Sequence, residues 1–60
     1  MTTLKKIRIE RGLSLRAAGK LSGVSYVHLC RLENGKGNPK MTTMKKLAEV
    51  YNTTITDLIE

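Results

Sequence analysis

The side chains with the most chemistry to offer lie close together in the middle of the chain: Tyr26, Val27, His28, Cys30 and Arg31. His28 is the single histidine and Cys30 the single cysteine. An imidazole with no second histidine and no neighbouring carboxylate lacks the company of a zinc ligand or a general base. A thiol without a partner base is not an activated nucleophile. No Ser/His/Asp, Cys/His or paired-carboxylate arrangement appears elsewhere, so no enzyme, metal site or cofactor is expected. Arg31 suits a different task. Its planar fork matches the O6 and N7 acceptors of guanine in the major groove, the alternative being a surface arginine on a phosphate. Val27 suits a thymine methyl. Tyr26 suits a phosphate or sugar, or equally a ring half-buried over Leu15. His28 suits a base or a phosphate. These four residues are the candidate base contacts of a nucleic-acid reader.

Such a reader needs a rigid helix beneath it, and the spacing predicts one over Tyr26–Glu33. At about 100° per residue, turning Leu29 and Leu32 inward points Val27 and Arg31 directly outward. His28 and Cys30 then flank them, with Tyr26 at the N-terminal end. Ser25 is a good N-cap, and Asn34-Gly35 closes the helix. A shorter helix precedes it, capped by Ser14, carrying Leu15, Ala18 and Leu21, and stopped by Gly23. Two helices joined by the turn Ser22-Gly23-Val24-Ser25 form a helix-turn-helix over about residues 14–34, with Val24 placed to plug the corner. A first helix is capped by Thr2 or Thr3, carries Leu4 and Ile7, and ends at Gly12. Lys36 to Lys40 reads as a loop. Thr42 or Thr43 caps a fourth helix with the stripe Met44, Leu47, Ala48 and Tyr51. Thr54 caps a last turn or two, with Asp57 in a capping-box position and Leu58, together with Ile55 or Ile59, facing the core. No strand alternation persists, so the fold is all-α: a compact five-helix domain over residues 1–60.

Sixty residues bury only about 60% of the surface the unfolded chain exposes, leaving little room for an enclosed catalytic cleft. Eleven Lys and Arg against five Asp and Glu give a net charge of +6, a field that attracts polyanions. A membrane surface is the weaker partner, because no helix joins a strongly apolar face to a basic one and Trp and Phe are absent. One cysteine, no apolar run of signal-peptide length and no membrane span imply a cytoplasmic protein.

Ser14-Leu15, Ala18-Gly19, Ser22-Gly23-Val24-Ser25, Leu29, Arg31-Leu32-Glu33-Asn34-Gly35, Asn38-Pro39 and Leu47-Ala48 together resemble the phage-repressor and Cro-type (Xre-like) helix-turn-helix regulators. The resemblance runs from about Leu4 to Ile59. It implies a lambda-repressor-like domain whose third helix enters the major groove, with base contacts at the same outward positions. It also implies phosphate contacts from Asn34, Lys36, Asn38 and Lys40 after that helix. Arg16 and Ser25, at the starts of the second and third helices, add to these, since free amides and the positive dipole end favour anions there. Arg8 and Glu33 match a pair that forms a partly buried salt bridge between the first and third helices. Three positions depart from the pattern. Leu15 stands where a phosphate-binding Gln is usual, Gly19 where Ala packs on the recognition helix, and Thr53 where an apolar residue is common. A glycine in mid-helix implies that Gly19→Ala stabilises by about 0.5–1 kcal/mol.

The expected function is sequence-specific binding of a double-stranded DNA operator by a homodimer, regulating transcription as a repressor or an activator. Two alternatives keep the fold: an antitoxin or restriction-control protein with an additional protein partner, and a pure protein-interaction module.

Overall fold

Hydroxyl side chains start four of the helices. In the computed structural model, which describes residues 2–59, the elements are α1 (Thr3–Glu10), α2 (Leu15–Ser22), α3 (Tyr26–Glu33), α4 (Met41–Val50) and α5 (Ile55–Ile59). The first amides of a helix have no intrahelical acceptor. Thr2 accepts from the Lys5 amide at 3.4 Å and Ser14 from Ala17 at 3.0 Å. Ser25 accepts from His28 at 3.2 Å and Thr54 from Asp57 at 3.1 Å. Each such cap is worth about 1 kcal/mol, a large share of the roughly 3–5 kcal/mol that a core this small supplies.

The fourth helix differs from expectation. It begins at Met41, with Lys40 in the cap position and no side-chain cap bond, so Thr42 and Thr43 lie inside the first turn. Met41 and Thr42 are exposed, so the first amides of α4 are open to solvent and forgo the extra stability of a hydroxyl cap. Asp57 completes no reciprocal capping box either, since its carboxylate accepts from the Thr53 hydroxyl at 3.1 Å. That bond gives Thr53 a use at its apolar-favoured position. The turn before it runs through Asn52 at φ 53°, with the Thr53 amide bonding to the Ala48 carbonyl at 2.9 Å.

Leu29, Leu47 and Tyr51 are sealed from solvent, surrounded by Leu4, Ala18, Val24, Leu32, Met44, Ala48 and Leu58. Burying each leucine contributes about 1.5–3 kcal/mol against leaving it in water. The helix α2 packs on α3 and α4, while α1 packs on α3 and α5, and α4 also meets α5. No strand occurs among the described residues. Leu15 and Ile55 are partly buried against the core, so of the two isoleucines weighed for the core it is Ile55 that faces inward and Ile59 that is exposed at 67%, while Leu21, carried on one helix with Leu15 and Ala18, is exposed at 63%. The buried positions of α2 are Ala18, Gly19 and Ser22. With that stripe inward, Leu21 falls about 100° away from Ser22 and off the packed side.

The surroundings of Gly19 argue against a stabilising Gly19→Ala. A Cβ there would lie 2.8 Å from the Val24 carbonyl oxygen and 3.3 Å from the Tyr26 amide nitrogen. With glycine here α2 lies directly against the backbone that begins α3, and a methyl group would force that backbone to shift.

Candidate nucleic-acid interface

The candidate interface centres on the corner between α2 and α3. Gly23 adopts φ +75°, a left-handed conformation that a side chain resists, and its amide reaches the Gly19 carbonyl at 2.8 Å. The buried Ser22 hydroxyl donates to the Ala18 carbonyl at 2.7 Å and accepts from the Val24 amide at 3.3 Å. Val24, 9% exposed, fills the corner as its position suggested. Ser22 was not singled out in the sequence, where a serine near a glycine reads only as a turn residue.

From this corner α3 turns Leu29 and Leu32 into the core and leaves Tyr26, Val27, His28 and Arg31 exposed. The four candidate base contacts therefore share the free side of one short, rigidly backed helix. Cys30 is half-buried, and its sulfur accepts from the Asn34 side-chain amide at 3.6 Å. The Tyr26 ring does not lie free. The Arg16 guanidinium sits 5.5 Å from its centroid, within cation–π range.

Behind α3, Arg8 and Glu33 are 8% and 6% exposed. Their bond is two-pronged, with Nε to Oε2 at 2.7 Å and Nη2 to Oε1 at 3.1 Å. The Arg8 Nη1 donates to the Leu13 carbonyl at 2.7 Å. The hydrogen bond to Glu33 raises the Arg8 pKa further above its ordinary range, opposed by burial. The pair ties the C-terminal end of α3 to α1. The Tyr51 hydroxyl is buried with no hydrogen-bond partner among the described residues, and burial raises its pKa, with the Glu33 charge acting the same way and Arg8 opposing.

With Arg8 and Glu33 set aside as an internal pair, ten basic and four acidic side chains remain of the eleven and five. Arg16, Ser25, Asn34, Lys36, Asn38 and Lys40 are all exposed. The Ser25 oxygen caps α3, yet its hydroxyl proton remains available to donate. The structure adds a cation missing from the sequence reading. Lys20, one turn after Arg16 on α2, is exposed and lines with Arg16, Ser25 and Tyr26 an open recess at the corner. Its signal was the spacing of four from Arg16.

Among the described residues no three His, Cys, Asp or Glu side chains gather as a metal site requires, and no helix is long and apolar enough to cross a membrane.

The model of the helix-turn-helix family matches residues 4–58. The chain is 39% identical over 57 residues to the HTH-type transcriptional regulator DdrOP3 of Deinococcus deserti, covering 95% of the chain and 44% of that protein. It is 49% identical over 47 residues to the HTH-type transcriptional repressor RghR of Bacillus subtilis, covering 77% of the chain and 35% of RghR. It is 35% identical over 54 residues to the HTH-type transcriptional regulator PuuR of Escherichia coli, covering 90% of the chain and 29% of PuuR. The chain thus spans less than half the length of each of these relatives, which are named as transcription regulators and not as enzymes. No solved structure matches the chain significantly.

Proposed function

Because the chain belongs to the helix-turn-helix family, we propose that it binds double-stranded DNA sequence-specifically and represses transcription, acting as a homodimer in the cytoplasm. In this reading α3 enters the major groove. Arg31 takes guanine O6 and N7, Val27 meets a thymine methyl, and His28 and Tyr26 border them. Arg16, Ser25, Asn34, Lys36, Asn38 and Lys40 grip phosphates on either side, fixing orientation without reading sequence. The observation that carries the reading is the free face of α3. An exposed valine and an exposed arginine stand one helical turn apart on a helix clamped from behind by the core and the Arg8–Glu33 pair. Repression follows the naming of RghR, and a reduced lone thiol suits the cytoplasm.

Selecting bound sequences from a random duplex pool at stated salt tests the proposal. A dimer should return a palindrome with half-sites about one helical turn apart, roughly 34–36 Å. Recovery of no preferred sequence, or binding indifferent to salt, would overturn it.

A further inference from the structure

We infer that Tyr26 is a positioning residue: its ring holds Arg16 which, with Lys20, forms a two-cation ledge along α2 that grips the DNA backbone where Leu15 offers no polar group. The inference rests on the DNA-binding reading above. Three observations carry it. The Arg16 guanidinium lies 5.5 Å from the Tyr26 centroid, so the ring joins α2 to the first residue of α3. Arg16 and Lys20 are both exposed and border the same open recess. Neither forms an ion pair among the described residues, because α2 contains no acidic residue and the first turn of α3 has none.

Like charges four residues apart on a helix repel and weaken it slightly. Here no carboxylate on either helix relieves that repulsion, and a polyanion laid along the corner would. A guanidinium on a ring face also keeps its N–H edge available, so the cation–π contact narrows the Arg16 rotamers without consuming its donors. The contact uses the ring and not the hydroxyl, which makes phenylalanine an adequate substitute and leucine an inadequate one. The phosphate set thereby gains Lys20, and Tyr26 acts on affinity through Arg16 and not by reading a base.

The test is equilibrium titration of a mixed-sequence duplex of about 20 base pairs, roughly two helical turns, and of the selected sequence, across a salt series. If the unaltered chain binds neither duplex in a salt-dependent way, the DNA-binding reading itself fails. Given binding, Arg16→Gln and Lys20→Gln should each lower the salt slope by about 0.9, the share of one phosphate. Tyr26→Leu should weaken binding roughly two- to fivefold, the weight of an exposed cation–π contact. That loss should be equal on both duplexes, absent in the Arg16→Gln background and absent for Tyr26→Phe. A Tyr26→Leu loss that persists without Arg16, or that falls on the selected sequence alone, would overturn the positioning role. An unchanged slope in Lys20→Gln would remove Lys20 from the ledge.

Discussion

Replacing Gly19 with alanine sets two effects of opposite sign against each other, and the structure decides between them. Alanine is favoured over glycine in a helix interior by about 0.8–1.0 kcal/mol, and Gly19 lies within α2. The new methyl would nevertheless stand 2.8 Å from the Val24 carbonyl oxygen, 3.3 Å from the Tyr26 nitrogen and 3.6 Å from the Tyr26 Cα. All three atoms are backbone, so no rotamer change relieves the contact. The α2–α3 corner must open by several tenths of an ångström instead. That motion pulls on Val24 in the corner and on Ala18, which is fully buried beside Gly19. Overpacking of this kind costs about 1–3 kcal/mol. Set against the propensity gain, the net is a destabilisation of about 1 kcal/mol. For a domain of this size that lowers the Tm by about 4–8 °C. Thermal unfolding of Gly19→Ala beside the parent chain, followed by circular dichroism, measures it. An unchanged or higher Tm would mean that the corner has slack, and the argument for close backbone approach would fall.

Three further outcomes follow from the same geometry. Glu33→Ala and Arg8→Ala should each cost about 3–5 kcal/mol, because either leaves a buried charge alone; denaturant melts of the double variant should show a loss well short of the sum, and small additive losses would mean the pair contributes little. Tyr51→Phe removes a buried hydroxyl that has no partner among the described residues and should raise the Tm, by about 1 kcal/mol in stability terms. Because the Tyr51 pKa is raised above 10.0 by burial, its protonated form favours folding fully below that pH. Stability should therefore fall as pH climbs above 10.0 toward the folded-state value, and the fall should be smaller in Tyr51→Phe. On DNA, Arg31→Ala should cost about 1–3 kcal/mol on the selected site and relax one base position, whereas Lys36→Ala should weaken all sequences alike and lower the salt slope by about one; equal harm from Arg31→Ala on random DNA would move Arg31 to a phosphate.

What could be read in the sequence was whatever is encoded within one helix. The capping residues Ser14, Ser25 and Thr54 and the inward phase of Leu29 and Leu32 are local patterns of three or four residues, and the structure reproduces them. Arg8 and Glu33 lie 25 positions apart with no local signal between them, and only a family resemblance joined them. The departures arise where two elements meet. Leu21 looked like a core residue because leucine usually is, but α2 turns its small residues toward its neighbours and leaves Leu21 outside. Propensity alone gives Gly19→Ala the opposite sign to the one the packing gives, since propensity describes an isolated helix and contains nothing about the Val24 carbonyl that α3 brings against it. The Arg16–Tyr26 contact was invisible for the same reason. Tyr26 was weighed as a base, phosphate or sugar contact or as a ring over Leu15, and the structure adds the Arg16 guanidinium over its ring, from the residue after Leu15 on α2. These interhelical contacts bear on function more directly than the caps do. The direction in which Arg31 and Val27 leave the surface depends on how closely α2 lies against the start of α3, and on how firmly the Arg8–Glu33 bond holds its far end. On the proposed DNA-binding reading, a substitution that leaves all five helices intact should therefore still misdirect the outward face of α3, and register as lost sequence preference before it registers as lost fold.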